Sequence, residues 1–348
     1  MQTYFRPLGL LFGPDARSLI SDGLAGSLGG HETIGFTQVE KITRDGKSIA
    51  RSFHSYGEFK DQPIAGFIAK PRPAFAGLVL TRPLLMGVVN VTPDSFSDGG
   101  QHAEAKSAIA HGLRLSGDGA DILDVGGEST RPGSDEVLLE SERERIMPVI
   151  AALAKDHVVS VDTRKPPLMK EAAEHGVRII NDVSALGFDP ESAKAVSELG
   201  LPVILMHAQG EPRTMQLSPK YHDVALDVYD WLSLRIDQAV AAGIPKSRIC
   251  IDPGIGFGKT ISHNLELLRQ LTLFHGLGVA LLVGLSRKNF VGVLSGEKSA
   301  AKRVSGSVGG ALQAAMMGAH ILRVHDVKET SDAIAVFRAA LDPDLAAV

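Results

Sequence analysis

The chain contains 348 residues, of which 44% are hydrophobic and 22% are charged, and its formal net charge is −4. This composition is ordinary for a globular protein. The acidic balance excludes a general attraction to nucleic acid or to an anionic membrane, so any anion site must be local. The N-terminus lacks the basic segment and apolar core of a signal peptide, and no apolar run approaches the roughly 20 residues of a membrane span.

Cys250 is the only cysteine, which excludes a disulfide framework and is typical of a protein in the reducing cytoplasm. It lies within the apolar run 248–252. A catalytic thiol is one interpretation of this residue. A small buried hydrophobic residue is the interpretation that the surrounding run favours.

Residues 1–80 contain scattered glycine and proline and one clear β-hairpin pattern. Apolar and polar residues alternate over 36–43, a second strand-like segment covers 48–53, and an Asp-Gly pair between them supplies the turn. We therefore expect a small β-rich extension over residues 1–80 and a larger domain over residues 81–348. The pattern assigns no role to the extension.

Beyond the extension, short apolar runs alternate with longer segments of helical periodicity. Eight such units are the number that closes a (β/α)₈ TIM barrel, and continuous Val/Ile/Leu runs suit strands that are buried on both faces. A doubly wound open sheet is the main alternative, but the glycine-rich turn expected after its first strand is missing. The runs cover residues 84–91, 120–125, 158–161, 177–180, 202–206, 248–251, 279–284 and 319–324.

A polar or ionisable residue ends each run. The carboxyl ends of all strands in a βα barrel open on one face, which carries the active site, so these side chains are expected to converge in one pocket. Helix capping could explain a single Asp or Asn, but it does not explain Lys288, Arg323 and His325. The residues are Asn90, Asp124, Asp162, Asn181, His207, Asp252, Ser286 with Lys288, and Arg323 with His325.

The residue types indicate the chemistry of the ligand. Asp162, Asn181 and Asp252 offer acceptors and an amide that suit a flat, nitrogen-rich heterocycle. Lys288, Arg323 and His325 supply positive charge from the last two strands, where TIM barrels frequently bind phosphate. The strand ends therefore predict a nitrogenous ring that bears phosphate.

Two polar loops, 90–100 and 126–133, follow the first two runs and combine glycine and proline with groups that can bind anions or metal. Loops of this kind over a barrel mouth are candidate lids. For single members such as Asp98 and Glu128, we favour the interpretation that they are solvated surface residues.

The segment 253–260 nearly matches the phosphate-binding loop of nucleotide triphosphatases, but Pro253 stands where that loop needs its first glycine. Nucleoside triphosphate binding is therefore not expected. The glycines favour a close approach of the backbone to a flat ligand, with Phe257 packing against it.

At these residues the sequence closely resembles the dihydropteroate synthase family, and the resemblance covers essentially all of residues 84–341. The first two matching segments are long enough to be specific, whereas the third alone carries little weight. The segments are MGVVNVTPDSFSDGG at 86–100, DVGGESTRPG at 124–133, VDT at 161–163, IND at 180–182, MH at 206–207, DPGIGFG at 252–258, SRK at 286–288 and RVHD at 323–326.

The resemblance implies roles for individual residues, and it adds Asp124 to the substrate-binding candidates. The implied pterin-ring contacts are Asp162, Asn181, Asp252 and Lys288, with Met206 and Phe257 lining the slot. The implied metal contact is Asn90, for Mg²⁺, and the implied diphosphate clamp is Arg323 with His325. The implied loop and rim residues around the aminobenzoate are Phe96, Thr130, Arg131, Pro132 and Ser286.

The resemblance also implies a dissociative reaction in a cytoplasmic homodimer whose partners are small-molecule substrates. The cations and Mg²⁺ stabilise the leaving diphosphate, Asp162 stabilises the cationic pterin methylene, and the aniline nitrogen of p-aminobenzoate then attacks. Two positions depart from the family pattern: Arg164 stands where serine is common, and Ala208 where another residue is frequent. The extension is longer than compact members of the family require.

Two alternative functions are weaker. A pterin-dependent methyltransferase that works with a corrinoid protein shares the ring-binding acids, and a noncatalytic pterin-binding protein would also keep them. Neither has a reason to retain the cations Lys288 and Arg323 together with His325. The synthase is therefore the favoured hypothesis.

Overall fold

The computed structural model describes residues 1–91, 100–129, 134–210 and 214–346, with only the backbone given for residues 100–103 and 346. The chain begins with a four-stranded antiparallel sheet in which the long central strand pairs with the three others. The elements of this part are β1 Gln2–Phe12, α1 Gly13–Ser21, β2 Gly26–Leu28, β3 His31–Asp45, β4 Ser48–Ser55, α2 Tyr56–Phe59 and α3 Pro63–Ala69.

The expected hairpin is formed by β3 and β4, but its turn lies one residue later than the Asp-Gly pattern predicts. Asp45 pairs with Ser48, which leaves Gly46 and Lys47 as the two loop residues. Gly46 has a φ of 57°. A two-residue hairpin loop with glycine in this conformation at its first position corresponds to a type II′ turn, so Asp45 stays in the strand.

Eight parallel strands follow and close into a barrel in which each strand pairs with its neighbours in chain order. This confirms the (β/α)₈ barrel and excludes the open sheet. The strands are β5 Leu84–Asn90, β6 Ile122–Gly126, β7 Val159–Asp162, β8 Ile179–Asp182, β9 Val203–Met206, β10 Ile249–Asp252, β11 Ala280–Val283 and β12 Ile321–Val324.

Helices surround the barrel and bury their apolar faces against it. In the part of the chain that the structure describes, none of the helices is both long and apolar enough to cross a membrane. The helices are α4 Gly100–Gly117, α5 Leu139–Leu153, α6 Pro166–Glu174, α7 Ser192–Leu199, α8 Val224–Ala241, α9 Ile261–Arg269, α10 Asn289–Ser295, α11 Val304–Met316 and α12 Val327–Leu341.

The amino-terminal end of the barrel is closed by the segment that leads into it. Phe75 pairs with Leu78 in a short β-bridge. Phe75 is fully buried against barrel residues, including Met86 and Ile122. Cys250 belongs to the same cluster as a buried free thiol, as expected for a small apolar residue. Because apolar side chains fill this end, the polar pocket can form only at the opposite end.

The sheet of the extension packs beside the barrel. β1 lies against the 3₁₀ segment Leu271–Leu277 that follows α9, and Thr272 Oγ1 donates to Pro7 O over 2.9 Å. At the barrel base, the rings of His31 and His320 stack with centroids 4.9 Å apart, and His320 Nε2 lies 3.0 Å from Gly29 O. Buried polar groups therefore join the extension to the barrel at its side and at its base.

This buried histidine contact predicts an acid-sensitive stability. Burial lowers the pKa of His31 to about 4, and the pKa of His275, which also contacts the His320 ring, to about 3. The unfolded chain binds protons on these residues below about pH 6.5 and the folded chain does not, so stability falls as the pH decreases from 6.5 towards 4. At pH 5 the expected loss is about 2 kcal/mol for each histidine.

The buried carboxylates of Asp162 and Asp252 have raised pKa values and act in the opposite direction. A comparison between variants therefore isolates the histidine effect. Between pH 7.5 and pH 5.0, urea unfolding should show a larger loss of stability for the unmodified protein than for His31→Gln. Parallel curves for the two proteins would contradict this account.

Candidate active site at the barrel mouth

Arg323, in β12, joins two carboxylates at the carboxyl end of the barrel. Its Nε donates to Asp124 Oδ2 over 2.6 Å, and its Nη2 donates to Asp162 Oδ2 over 2.8 Å. Asp124 lies in β6 and Asp162 ends β7, so three strands supply one ion-pair network. Two charge-assisted bonds on one guanidinium fix the orientation of both carboxylates.

Asn181, the residue before the last of β8, extends this network. Its Nδ2 donates to Asp124 Oδ2 over 3.1 Å. Asp124 is fully buried, and its second oxygen, Oδ1, accepts no hydrogen bond from the described residues. An unpaired buried carboxylate oxygen is costly unless a ligand N–H reaches it. Asp124 Oδ1 is therefore an acceptor suited to a bound ring.

The glycine-rich loop after β10 forms the opposite wall. Asp252 Oδ1 accepts from Gly254 N over 2.7 Å, which ties the carboxylate to the loop. Lys288 Nζ donates to Ile255 O and lies 4.4 Å from the centroid of the Phe257 ring. Gly254 has a φ of 67°, a conformation that favours glycine. The loop thus places an aromatic face beside a cation.

His207 does not reach the mouth with the other strand-end residues. Its side chain is buried, and its Nδ1 lies 2.8 Å from Lys259 Nζ. Lys259 Nζ also donates to Phe257 O over 3.0 Å, and burial lowers the pKa of Lys259 well below its ordinary value. Lys259 therefore supports the loop from within.

The ends of the last two strands lie side by side. Ser286 Oγ accepts from His325 N over 3.2 Å and lies 3.2 Å from His325 Nδ1. Arg287, between Ser286 and Lys288, turns away and pairs with Asp326, with its Nε 3.0 Å from Asp326 Oδ2. The structure therefore brings together Ser286 and His325 from the candidate list and directs Arg287 to a different partner.

Burial perturbs the ionisable groups of the mouth. Burial raises the pKa of Asp162 to about 7, against the lowering effect of Arg323. Burial raises the pKa of Asp252 as well, and it lowers the pKa of Lys288 to about 8 although the Asp252 carboxylate acts to raise it. The pKa of Arg323 is raised, because the attraction of Asp124 and Asp162 exceeds the effect of burial. Such shifts in one cleft are typical of a functional site.

The chain matches known proteins through this barrel. A family model described as a pterin binding enzyme matches residues 86–325. The dihydropteroate synthase of Escherichia coli K12 is 49% identical over 266 residues, which cover 76% of this chain and 94% of that protein. The chain belongs to the dihydropteroate synthase family. Members of this family are transferases.

Solved structures of the family show the same architecture. The dihydropteroate synthase of Xanthomonas albilineans with 4-aminobenzoic acid is 49% identical, with a TM-score of 0.72 over 78% of this chain and 98% of that chain. The same enzyme in complex with 7,8-dihydropteroate is 47% identical, with a TM-score of 0.69 over 76% of this chain and 95% of that chain. About a quarter of the present chain is not covered by these matches.

A second ion-pair network joins the loop after β6 to the start of α6 and to α5. The sequence patterns did not predict it. Glu128 accepts from Arg164 Nη2 and from Lys165 Nζ, each over 2.7 Å, and Lys165 also pairs with Glu142. The Glu128 side chain is only 8% exposed, so its interpretation as a solvated loop residue is wrong. Arg164 also lies over the ring of Phe188, 3.9 Å from the centroid.

Some of the remaining candidates lie within the described residues and others lie outside them. Asn90 ends β5 with an exposed side chain, and Met206 ends β9 with a buried one. Within the described residues, no cluster of three or more His, Cys, Asp or Glu side chains could hold a metal ion. The candidates that lie outside the described residues are Phe96, Thr130, Arg131 and Pro132, together with Asp98.

Proposed function

We propose that the chain condenses 6-hydroxymethyl-7,8-dihydropterin diphosphate with p-aminobenzoate to give 7,8-dihydropteroate and diphosphate. Membership in the dihydropteroate synthase family supports the reaction, and a family member has been solved with 4-aminobenzoic acid. The observation that carries the proposal is the network in which Arg323 holds Asp124 and Asp162 at the barrel mouth.

In this proposal the pterin ring lies between the strand-end acids and the glycine loop. Asp124 Oδ1 is available to a ring N–H, and Asn181 in β8 and Asp252 in β10 carry groups that complement ring nitrogens. Met206 and Phe257 supply the apolar lining. The ring is thus bound by acceptors on its polar edge and by packing on its face.

The charge balance of the mouth favours a cationic intermediate. Among the described strand-end residues, Asp124, Asp162 and Asp252 contribute three acidic groups, whereas Arg323 and Lys288 contribute two basic ones. When the C–O bond to the diphosphate breaks, positive charge develops on the pterin methylene. Fixed carboxylates that are already oriented stabilise this charge without reorganisation. Burial raises the pKa of Asp162, and a cation beside this carboxylate favours its ionised form.

The leaving diphosphate requires positive charge. We propose that Arg323 and His325 bind it and that Asn90 contributes to a Mg²⁺ site. Mg²⁺ commonly uses one or two protein oxygens together with substrate phosphates and water, and the exposed amide of Asn90 fits this pattern. When bound, Mg²⁺ neutralises charge on the diphosphate oxygens. Because Arg323 already bonds two carboxylates, its role as a clamp stays a prediction.

The acceptor amine is proposed to attack from the loop side. Ser286 lies beside His325 at the rim. Phe96, Thr130, Arg131 and Pro132 are assigned to the aminobenzoate pocket by family resemblance. Exclusion of water from this pocket would leave the aniline nitrogen as the nucleophile that reaches the methylene.

A direct assay tests the proposed function. The purified chain is mixed with the dihydropterin diphosphate, p-aminobenzoate and Mg²⁺, and diphosphate and dihydropteroate are both quantified. We expect equal amounts of the two products. Absence of both would refute the proposal, and demethylation of methyl-tetrahydrofolate with a corrinoid acceptor would establish the methyltransferase instead. Pterin binding without either reaction would indicate a noncatalytic protein.

The pKa shifts predict a narrow pH optimum. Asp162 must be ionised to stabilise the cation, so kcat/KM rises as the pH passes upward through about 7. Lys288 must be protonated, so kcat/KM falls as the pH passes upward through about 8. The profile should therefore be bell-shaped.

The variant Lys288→Arg should move the alkaline limb to higher pH, because a guanidinium does not deprotonate in this range. The test is the pH at which kcat/KM of this variant falls, and not the size of its kcat/KM. An alkaline limb that stays in place would show that another group titrates there.

We further propose that residues 1–80 form the extension and residues 81–348 the catalytic domain of a cytoplasmic homodimer. The single buried thiol supports the location. Exposed apolar residues on helices of the last third, Val293 and Leu294 on α10 and Val336 on α12, support a self-association surface. Sedimentation analysis of the purified chain tests the dimer.

A further inference from the structure

The β3–β4 hairpin of the extension contacts the start of α8 through Arg44. Its Nη1 donates to Asp227 Oδ1 over 2.6 Å, and its Nη2 pairs with Asp230. Tyr4 of β1 donates to the same Asp230 over 2.9 Å. The other oxygen of Asp227 accepts from His222 N over 2.8 Å, so this carboxylate joins the extension to the loop that precedes α8.

A second arginine of the hairpin reaches the helix cap. Arg51 Nη2 donates to Asp223 Oδ2 over 3.1 Å, and Asp223 Oδ1 caps α8 by accepting from the backbone of its first turn. Arg51 Nη1 donates to Glu40, which is buried and also accepts from Arg6 Nε over 2.7 Å. Because Arg6 holds Glu40 and Glu40 binds Arg51 Nη1, Arg51 Nη2 is directed to Asp223 in a fixed orientation.

The loop held in this way supports the glycine loop of the active site. Tyr221 OH donates to Gly258 O over 2.8 Å, and Gln216 Nε2 donates to Gly256 O over 2.6 Å. The tip of the hairpin reaches the same loop, because Lys47 O lies 2.9 Å from His222 Nε2. A continuous series of polar contacts therefore leads from the extension to the backbone that carries Phe257.

We propose that the extension is a positioning module: Arg44 and Arg51 fix the loop before α8, and Tyr221 of that loop fixes the glycine loop beside Phe257 and Lys288. The proposal rests on the proposed synthase function. Arg44 and Arg51 bond to the start of α8 and its cap, and Tyr221 bonds to the glycine-loop backbone, so we infer that all three act through the glycine loop. Displacement of a substrate-positioning element by about 1 Å can cost 100-fold in rate, so a small shift of this loop is sufficient to be measured.

Attachment of the extension does not depend on these contacts alone. At its other end, Arg17 of α1 pairs with Asp342 and Asp344, which follow the carboxyl end of α12 on the base side of the barrel. Since the carboxyl ends of helices lie away from the mouth, Arg17 provides a matched control. It forms an ion pair between the same two parts of the chain, and its partners Asp342 and Asp344 lie outside the loop before α8 and the glycine loop.

The test compares Arg44→Ala/Arg51→Ala with Arg17→Ala in the full chain. We expect kcat/KM of the double variant to fall about tenfold, mainly through a higher KM for the pterin diphosphate. Arg17→Ala should retain the unmodified kcat/KM. Thermal unfolding measures stability in parallel. Equal kcat/KM for the double variant and Arg17→Ala would overturn the proposal, as would a kcat/KM loss that follows the loss in Tm across both variants.

Tyr221→Phe removes a single oxygen and keeps the ring, so it can test the proposal if the double variant folds poorly. We expect Tyr221→Phe to raise the KM for the pterin diphosphate. Combined with Arg44→Ala/Arg51→Ala, it should add no further loss, because residues that act through one contact series are not additive. Full additivity, or an unchanged KM in Tyr221→Phe, would overturn the proposal. An unmodified protein without synthase activity would instead refute the proposed function.

Discussion

Replacing Arg323 with alanine is expected to reduce kcat/KM by about 1,000-fold, because the variant removes the donor that orients two carboxylates and that we propose binds the leaving diphosphate. It should also destabilise the fold by about 3–5 kcal/mol, since Asp124 and Asp162 would remain without their partner. Asp124 is fully buried and Asp162 is mostly buried, so water cannot replace the guanidinium at both carboxylates. Steady-state kinetics and urea unfolding measure the two effects.

Two further variants serve as comparisons for Arg323→Ala. Arg323→Lys keeps a positive charge but cannot reproduce the two-pronged geometry, so it should restore more of the stability than of the activity. Arg82→Ala removes an ion pair with Asp121 that precedes β6, away from the mouth, and should leave kcat/KM unchanged. A value for Arg323→Ala within tenfold of the unmodified protein would show that the network is structural only.

Replacing Gly254 with alanine is expected to disrupt both the fold and the site. A methyl group at this position would lie 1.8 Å from His207 O, a backbone atom that cannot rotate away, and the φ of 67° is strained for alanine. We expect a loss of at least about 3 kcal/mol in stability. Displacement of the loop would also break the bond between Gly254 N and Asp252, so residual folded protein should be poorly active.

Gly66→Ala is the matched control for this substitution. Gly66 lies within α3 and has no atom within 4 Å of the added methyl group. Alanine favours the helix by about 0.5–1 kcal/mol over glycine, so this variant should be as stable as the unmodified protein or more stable. Similar unfolding midpoints for the two alanine variants would contradict the steric argument at Gly254.

The barrel could be predicted from the sequence because its signal is repeated. Each strand is rich in apolar residues, and a polar residue at or near its carboxyl end marks the mouth. Asp162, Asn181 and Asp252 were placed correctly at that end on this basis. His207 shows the limit, since a strand-end histidine can equally turn inward to a buried lysine. The apolar run predicts where a strand ends, but it does not predict the direction in which the polar side chain at that end points.

The partners of charged residues could not be predicted, because they depend on packing between segments that are distant in the chain. Nothing local in the sequence pairs Arg323 with Asp124, or Lys165 with Glu142. Glu128 was misinterpreted for the same reason: its neighbours in sequence are polar loop residues, whereas its neighbours in space are two buried cations. The sequence pattern predicted the hairpin of the extension, but it could not predict the contacts of the hairpin with Asp223 and Asp227.

The central claim is that the acidic mouth stabilises a pterin cation after the C–O bond breaks. Positional isotope exchange tests this directly. The enzyme is incubated with Mg²⁺ and pterin diphosphate, without p-aminobenzoate. The substrate carries ¹⁸O at the oxygen that bridges the pterin methylene and phosphorus, and the position of the label in the recovered substrate is determined. We predict migration of the label into non-bridging positions, lost in Arg323→Ala. Retention of the label at the bridge, in enzyme that turns over normally once p-aminobenzoate is added, would contradict the dissociative account.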